Sequence, residues 1–335
     1  MTLIHTLMHA DFSVNPRVDQ RGSAMRASHE GSASRQPTIA ITAGDPCGIG
    51  PEVVLKALAD VPRAGARLIV IGDRRVFEQT ARRLRVRLPA WEFVDLGHRR
   101  TFVPGRSSRE AGAASLAYLD AAMALWRANQ IQGLVTAPVT KWAIARAVPG
   151  FVGQTEYLAR AMGRRQVLMM FVSDRLRVAL LTRHLPLRRV ARAITPRLVE
   201  DAVRLAAEAL RTQFHILHPR LVLCGLNPHA GEGSPMSEER RIMQPVLRKL
   251  RRAGIACDGP VAADGLFAEM LRSNISSKAP GKPGLRDIPY DAVICPYHDQ
   301  GLIPFKMAAR DRGCQLSVWL PFVRTSPDHG SALDI

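Results

Sequence analysis

Short apolar runs alternate with longer segments of helical composition along most of the chain. Residues 38–42, 68–71 and 133–136 are apolar and rich in β-branched side chains, and we expect them to form buried strands. Residues 53–58 and 111–126, which lie between these runs, have the composition of helices. Strands that alternate with helices in this way predict an α/β fold with a largely parallel sheet.

The alternation continues in the second half of the chain. Residues 198–210, which Thr195 and Pro196 precede as a start signal, predict a helix, as do residues 238–252. Residues 272–289 are rich in Ser, Pro, Gly and Lys and predict a surface loop or a mobile insertion. Four apolar runs predict strands, of which the first two are expected to pair as a hairpin: 167–172, 177–182, 221–225 and 291–295.

The first 36 residues differ from the rest because polar, Gly and Ser residues mix there without a sustained period. They lack the charged start, the long apolar run and the cleavage site of a signal peptide. We expect residues 1–36 to be a disordered extension, or a start placed too far upstream, with Met25 beginning a shorter protein. At about 150 residues per domain, the length of 335 residues predicts two domains.

Composition narrows the class of protein. Hydrophobic residues make up 47% of the chain, but no apolar run approaches the about 20 residues of a membrane span, so an integral membrane protein is excluded. The net charge of +18 comes mainly from Arg, which is scattered and not interleaved with aromatic residues. This pattern is typical of solvated faces, while nucleic-acid binding and attraction of a phosphorylated substrate stay open as alternatives. The five cysteines form no C-x-x-C pair, which argues against a disulfide framework and favours the cytoplasm.

A glycine-rich segment joins the first predicted strand to the first predicted helix. Its glycines, Gly44, Gly48 and Gly50, have the spacing G-x-x-x-G-x-G and not the G-x-G-x-x-G of dinucleotide-binding loops. A nucleotide-binding loop and a tight turn that needs the freedom of glycine both fit this segment.

Three histidines each follow a predicted strand: His184, His229 and His298. Ligands of α/β sheets bind beyond the carboxyl ends of the strands. We therefore expect all three histidine side chains to lie in that same topological position. Three imidazoles can hold a divalent metal and leave a position open for substrate. Taken singly, each histidine fits equally a packed or capping role.

Two cations have candidate roles near the end of the chain. Lys306 follows an apolar stretch, where it can extend along the surface, bind an anion or act as an acid or base. Arg324 suits the recognition of a phosphate or carboxylate, or is a solvated charge.

Together these motifs identify a family resemblance that runs from about Pro37 to the last residue. The chain resembles the 4-hydroxythreonine-4-phosphate dehydrogenases of pyridoxal phosphate biosynthesis. The segments that carry the resemblance are ITAGDPCGIGPEVVLKAL, LVTAPVTKWAI, GQTEYLA, LRVALLTRHLPL, CGLNPHAGEG, ADGLFAE, YHDQGLIPFK and LPFVRTSPDHGSALDI.

The resemblance implies a fold and a domain organisation. The family is similar to the isocitrate and isopropylmalate dehydrogenases, with two α/β domains and an active-site cleft between them that a dimer partner completes. We therefore expect a cofactor-side domain of residues 37–140 plus 310–335. Residues 141–309 are expected to form the domain that binds metal and dimerises.

The resemblance also implies the reaction. NAD or NADP would oxidise the C3 hydroxyl of 4-phosphohydroxy-L-threonine, and the resulting β-keto acid would lose carbon dioxide to give 3-amino-2-oxopropyl phosphate. One divalent ion per site, zinc, cobalt or magnesium, and a cytoplasmic homodimer complete the expectation. No nucleic-acid or membrane partner is implied.

Family roles transfer to matching positions of this sequence. The metal ligands fall on His184, His229 and His298, and Asp264 and Lys306 match groups with a candidate acid–base role. The residues implied in cofactor binding are His329, Gly330, Ser331 and Asp334. Those implied in substrate binding are Gln154, Thr155, Lys306, Gln315 and Arg324.

The sequence departs from the family pattern at several positions. Gln154 replaces a histidine, Gln315 an asparagine and Gly265 a threonine, and the chain stops at Ile335 where the family continues with A-G-K-G. We expect the last departure to weaken either NAD binding or the packing of the cofactor domain. The first two keep open a paralogue that acts on D-erythronate or D-threonate 4-phosphate or on a dihydrodiol carboxylate. A catalytically silent relative is the alternative outside the enzymes.

Overall fold

The computed structural model describes residues 36–60, 65–88, 90–164, 167–276, 289–318, 320–327 and 329–334. The predicted extension of residues 1–36 lies outside these ranges except for its last residue. The described residues form two compact units: the first ends at Gly163 and resumes at Leu320, and the second holds the residues between them. The expected division of function, with a cofactor side at 37–140 plus 310–335 and a metal side at 141–309, stays a prediction.

Strands and helices alternate, so the predicted α/β class is confirmed. The strands are β1 (Thr38–Thr42), β2 (Arg67–Gly72), β3 (Glu92–Asp95), β4 (Gly133–Thr136), β5 (Leu168–Val172), β6 (Arg177–Leu180), β7 (Leu221–Cys224), β8 (Cys257–Val261), β9 (Ala292–Cys295), β10 (Cys314–Val318) and β11 (Val323–Ser326). The α-helices are α1 (Gly50–Asp60), α2 (Arg74–Leu84), α3 (Arg109–Arg127), α4 (Lys141–Ala147), α5 (Gln154–Ala161), α6 (Leu187–Ala193), α7 (Pro196–Gln213), α8 (Gln244–Arg252), α9 (Ala263–Ser276) and α10 (His298–Ala309). Shorter turns of other helix types are Pro228–Gly233, Glu239–Met243 and Arg310–Arg312.

The first unit is built on a parallel sheet with the strand order β3-β2-β1-β4-β11. All residues of β1 and β4 are buried, which explains why these runs are apolar without alternation. Helix α3 begins where the Ser108 hydroxyl accepts a hydrogen bond from the Ala111 amide, a standard N-cap. It packs closely on α4, because a Cβ at Gly112 would lie 2.2 Å from the Ala143 carbonyl carbon. The carboxyl ends of the five strands therefore lie at one edge, held by a close helical layer.

The second unit has a mixed sheet with the order β10-β5-β6-β9-β7-β8. Strands β5 and β6 pair antiparallel, as predicted, and β10 is antiparallel to β5. Strands β6, β9, β7 and β8 are parallel neighbours. Helix α7 begins as predicted, with the Thr195 hydroxyl accepting from the Leu198 amide and Pro196 in the first turn. The carboxyl ends of the four parallel strands again share one edge.

Three predicted elements differ from the structure. The helix predicted at 238–252 is divided into a π-helix, Glu239–Met243, and α8. The prediction of a loop at 272–289 is wrong for its first residues, because α9 continues to Ser276. Residues 277–288 of this predicted loop lie outside the described ranges. His298, which the sequence places in a loop after the predicted strand 291–295, is the first residue of α10. Three apolar side chains of α9, those of Leu266, Phe267 and Met270, pack into the core of the second unit and stabilise the helix.

Candidate functional site

Four candidate residues follow the carboxyl ends of the four parallel strands in the second unit. His184 follows β6, His298 follows β9, His229 follows β7 and Asp264 follows β8. Since β6, β9, β7 and β8 are neighbours in this order, all four residues lie along one edge of the sheet. Ligand sites of α/β proteins form at such edges.

The side chains along this edge are only partly gathered. The ring centroids of His184 and His298 are 6.0 Å apart, and the two ring planes are tilted by 42°. His298 Nδ1 lies 2.6 Å from Asp299 Oδ1, and His229 Nε2 lies 3.7 Å from Glu232 Oε1. Within the described ranges, no three His, Cys, Asp or Glu side chains are grouped closely enough to hold a metal ion. The structure brings two of the three histidine rings together and places the third on the same edge, turned towards Glu232.

The donor set at this edge still fits a divalent metal in its chemistry. Zinc and cobalt bind neutral imidazole ligands more readily than magnesium does. All three histidines follow neighbouring strands, and one pair of rings already meets. The backbone therefore places three suitable donors at one edge of the second unit.

The segment that carries His229 has an unusual backbone. Four successive residues, His229, Ala230, Gly231 and Glu232, have φ angles of 49°, 52°, 80° and 47°. The left-handed region costs roughly 1–2 kcal/mol for a residue other than glycine. Such a conformation persists only where surrounding contacts impose it, and it is typical of functional sites.

Glu239 binds the backbone shortly before these four residues. Its side chain is only 1% exposed, and Oε1 accepts hydrogen bonds from the Leu226 and Asn227 amides, both at 2.7 Å. Oε2 accepts from Asn227 Nδ2 at 3.0 Å. Burial raises the pKa of Glu239, but the hydrogen bonds from Asn227 and Leu226 outweigh it and leave the pKa below its ordinary value. Glu239 is therefore a buried carboxylate that binds the start of the histidine segment.

The sequence analysis missed Glu239, although a signal was present. Glu239 precedes Met243, Leu247 and Leu250 at intervals of four, four and three residues. These intervals put all four side chains on one face of a helix, and the three apolar ones are buried. A carboxylate on a core-facing stripe needs hydrogen-bond partners, and that need points to a structural or functional task.

Arg324 is the centre of a second group of candidate residues, in the first unit. It lies on β11 and is 2% exposed, so the interpretation as a solvated charge is wrong. Its Nη2 and Nε donate to Thr136 Oγ1 at 2.6 and 3.1 Å, and its Nη1 donates to Thr155 Oγ1 at 3.1 Å. Burial lowers the pKa of Arg324 to about 10, against the opposing effect of Glu156. The guanidinium remains charged at neutral pH.

The partners of Arg324 come from elements that meet at the carboxyl edge of the first sheet. Thr136 is the last residue of β4, and Thr155 lies in the first turn of α5. Gln154, one residue earlier, donates from Nε2 to the Ala137 carbonyl at 3.2 Å. Three predicted substrate residues, Gln154, Thr155 and Arg324, are thus brought together, and Thr136 is an addition from the structure. A buried cation framed by hydroxyl groups is suited to an anionic ligand.

The glycine turn between β1 and α1 is occupied by the chain itself. The Ile49 amide donates to the Ser331 carbonyl at 2.9 Å, and the Cys47 amide donates to Asp45 Oδ1 at 2.9 Å. A Cβ at Gly48 would lie 2.7 Å from the Ser331 carbonyl oxygen. These contacts favour the tight-turn interpretation over a loop that binds pyrophosphate through its amides.

The candidate cofactor residues lie beside this turn. Ser331 Oγ is 2.8 Å from Thr140 Oγ1, so the residue is anchored by both its side chain and its carbonyl. His329, Gly330 and Asp334 are exposed. The segment therefore has one anchored residue and two exposed side chains, those of His329 and Asp334.

Lys306 and Gln315 are not gathered with the histidines. Lys306 is exposed and lies eight residues after His298 on α10, which is about 12 Å along a helix axis. Gln315 is half-buried on β10 and pairs with Phe171 of β5. The structure therefore supplies no direct support for a shared site of these residues.

Two general expectations can also be compared with the structure. Among the helices of the described ranges, none combines the length and apolar character that crossing a membrane requires. All five cysteines are buried and free. The absence of a disulfide framework is thus confirmed.

Comparisons with known proteins agree on one family. The family described as "Pyridoxal phosphate biosynthetic protein PdxA" matches residues 64–335. A 4-hydroxythreonine-4-phosphate dehydrogenase from Synechococcus sp. is 42% identical over 318 residues, which cover 90% of this chain and 91% of that protein.

Solved structures that are similar to this chain include the same enzyme and a dehydrogenase with another substrate. The crystal structure of a 4-hydroxythreonine-4-phosphate dehydrogenase from Burkholderia phymatum has a TM-score of 0.73 at 32% identity, covering 90% of this chain and 92% of that one. A terephthalate 1,2-cis-dihydrodiol dehydrogenase from Burkholderia xenovorans has a TM-score of 0.60 at 33% identity, covering 90% and 92%.

Proposed function

The chain belongs to the PdxA family of pyridoxal phosphate biosynthetic proteins, and on that premise we propose that it is the dehydrogenase of 4-phosphohydroxy-L-threonine. The observation that carries the substrate assignment is the buried Arg324 with Thr136 and Thr155. The substrate bears a phosphate and a carboxylate, and a buried guanidinium is matched to either group.

The proposed reaction has two steps. The C3 hydroxyl loses its proton and C3 transfers a hydride to NAD or NADP, which leaves a ketone at C3. The carboxylate is then β to this ketone, so the bond between C1 and C2 breaks and carbon dioxide leaves. The electron pair stays on C2 as an enolate, and its protonation gives 3-amino-2-oxopropyl phosphate.

Residues of the first unit bind and orient the anionic end of the substrate in this proposal. Arg324 keeps its charge when buried, and the two threonine hydroxyls hold its planar group in one orientation. Gln154 donates a hydrogen bond where the family resemblance has a histidine, so it can position a ligand but cannot move a proton.

The edge of the second unit supplies the remaining chemistry. His184, His229 and His298 would hold a zinc, cobalt or magnesium ion, which as a Lewis acid would lower the pKa of the substrate hydroxyl and stabilise the enolate. Asp264 is exposed at the end of β8 on the same edge, where a carboxylate can accept the hydroxyl proton. Lys306 is the other proposed acid or base and is a further candidate for binding the substrate anion, with Gln315.

We assign the nicotinamide cofactor to the first unit. The segment His329, Gly330, Ser331 and Asp334 is anchored at Ser331 on the glycine turn, which leaves its other side chains for contact with NAD or NADP. The similarity in fold to the isocitrate and isopropylmalate dehydrogenases belongs to the same proposal.

A cytoplasmic homodimer with a shared active site is the proposed assembly. Helix α10 exposes Ile303 at 60% and Met307 at 70%, and Leu187 of α6 is 69% exposed. Ile303 and Met307 are four residues apart and therefore lie on the same face of α10, which the partner subunit would cover in this proposal. Free, buried cysteines suit a reducing compartment.

A second candidate function is the oxidation of a cis-dihydrodiol carboxylate. The structural similarity to the Burkholderia xenovorans dihydrodiol dehydrogenase, at 33% identity, favours it. At Gln154 and Gln315 this chain differs from the residues of the family pattern. Because both positions are implied in substrate binding, D-erythronate and D-threonate 4-phosphate also stay candidate substrates.

The test compares these substrates directly. Purified protein is supplied with NAD or NADP and each substrate, with chelator or with added zinc, cobalt or magnesium, and reduced cofactor is followed by absorbance. We expect metal-dependent turnover with the highest kcat/KM on 4-phosphohydroxy-L-threonine, together with release of carbon dioxide. A higher kcat/KM on a dihydrodiol carboxylate would reverse the assignment. Absence of turnover with every substrate would favour a catalytically silent relative.

A further inference from the structure

We propose that Glu239 and Gln300 are positioning residues that fix the His229 segment for metal binding, Glu239 through backbone amides and Gln300 through a backbone carbonyl. The inference rests on the proposed function, because it takes His229 as a metal ligand. Neither side chain is assigned to touch the metal or the substrate.

Glu239 fixes the segment from the side of the π-helix. One oxygen, Oε1, accepts from two successive amides, Leu226 and Asn227, and Oε2 accepts from the Asn227 side chain. A single carboxylate thus orients two peptide planes that lie two and three residues before His229. Because Glu239 is buried, water cannot replace these hydrogen bonds without opening the core.

Gln300 binds the same segment from a different element, α10. Its Nε2 donates to the Gly225 carbonyl at 2.7 Å. Gln300 lies two residues after His298 in the first turn of α10, so this bond joins the element that begins with His298 to the segment that carries His229. The segments that carry His298 and His229 are therefore linked by this one side-chain hydrogen bond.

The glycines of the segment match this arrangement. A Cβ at Gly231 would lie 2.8 Å from Glu239 Oε2, and a Cβ at Gly225 would lie 3.2 Å from Glu239 Oε1. Gly231 also has a φ of 80°, which glycine adopts without strain. The carboxylate fills space that only glycine leaves free, so the segment and Glu239 are shaped to each other.

The neighbouring Glu238 accepts from the same Asn227 side chain as Glu239 and is a matched control. Its Oε2 accepts from Asn227 Nδ2 at 2.9 Å, and no contact described for it reaches the amides of residues 226 and 227. Glu238→Gln keeps a carbonyl oxygen that can accept this bond. Glu239→Gln also keeps an acceptor for the two amides, but its NH₂ group then meets the NH₂ group of Asn227, and two donors face each other in a buried position.

The experiment measures zinc affinity and segment order in metal-free protein, not turnover. Wild type, Glu239→Gln, Gln300→Ala and Glu238→Gln are each titrated with zinc, and amide hydrogen exchange of residues 225–233 is recorded before zinc is added. We expect zinc affinity to fall about tenfold or more in Glu239→Gln and Gln300→Ala. Exchange should rise in residues 225–233 and not elsewhere. Glu238→Gln should stay within about twofold of wild type.

Each outcome decides the proposal. If wild type binds zinc and both Glu239→Gln and Gln300→Ala bind it equally well, the positioning roles are wrong while the metal assignment stands. An equal loss in Glu238→Gln would show a general charge effect and would also overturn the proposal. If wild type takes up no zinc, the metal part of the proposed function fails in that first titration, and this proposal fails with it. Should Glu239→Gln not fold, Gln300→Ala, which loses a single hydrogen bond, decides alone.

Discussion

The hydroxyl of Thr136 accepts hydrogen bonds from two nitrogens of Arg324, at 2.6 and 3.1 Å, where both side chains are buried. Arg324 belongs to β11 and Thr136 to the neighbouring strand β4. The pairing of these two strands therefore sets the orientation of the guanidinium before any ligand binds. An anion that binds there meets a cation whose rotamer freedom is already lost, which reduces the entropy cost of binding.

Thr136→Val should weaken substrate binding without unfolding the protein. Valine has nearly the shape of threonine but removes the acceptor that two guanidinium nitrogens share, at a cost of about 1–3 kcal/mol. We expect kcat/KM for the phosphorylated substrate to fall about tenfold to a hundredfold, mainly through KM. Steady-state kinetics on the wild type and the variant measure this.

The neighbouring residue of Arg324 supplies a control for Thr136→Val. Among the described residues, the buried Thr325 hydroxyl has no hydrogen-bond partner, so Thr325→Val should leave kcat/KM unchanged and hold or raise the melting temperature. Thr136→Ser, which retains the acceptor, should keep most of the activity. Equal KM values for Thr136→Val and Thr325→Val would contradict the role given to Thr136.

Gly48→Ala should impair cofactor binding more than substrate binding. The added Cβ would lie 2.7 Å from the Ser331 carbonyl oxygen, so the segment that holds the proposed cofactor residues must shift. We expect KM for NAD or NADP to rise several-fold while KM for the substrate changes little. Gly265→Ala, at an open helical position, is the control and should change neither value. A matching rise in both KM values would argue against a local effect on the cofactor segment.

Met307→Asp should dissociate the proposed homodimer. Met307 is 70% exposed on α10, and a carboxylate buried in an apolar interface without a partner is strongly unfavourable. Sedimentation velocity should show a monomer for this variant and a dimer for wild type. Leu217→Asp changes a side chain that is 73% exposed outside α10 and should remain dimeric. A dimeric Met307→Asp would place the interface elsewhere.

Stability should depend on pH through Glu239. Its pKa in the folded protein is below the ordinary value of 4.5, so the folded state favours the carboxylate. A depressed carboxyl pKa adds stability above the unfolded pKa, and that stability is lost as pH falls through the folded pKa. The difference in free energy of unfolding between wild type and Glu239→Gln should be largest near neutral pH and shrink in acid below pH 4.5. Urea unfolding of metal-free protein across this range measures it, and a constant difference would contradict the assignment.

The pattern of apolar runs was sufficient to predict most of the strands but not the short helices. Buried strands such as β1 and β4 have bounds that match the apolar runs, because both faces of these strands are covered. Short helices such as α4 and α6 were missed. Each has seven residues, too few for a clear helical period, and forms where tertiary contacts stabilise it.

The candidate site divides in the same way. Motifs in the sequence identified the candidate residues. The three histidines were found because each follows a predicted strand, and Arg324 and Thr155 were implied by the family resemblance. Only the tertiary structure decided that Arg324 is buried against Thr136 and that Ser331 packs closely on Gly48. It also decided that Glu239 binds the amides of the segment before His229. These relations join residues far apart in the chain, and local sequence carries no record of which distant strand or segment will lie alongside. The sequence by itself therefore determined the chemistry that is available, and packing decided which groups meet and which of them lose contact with water.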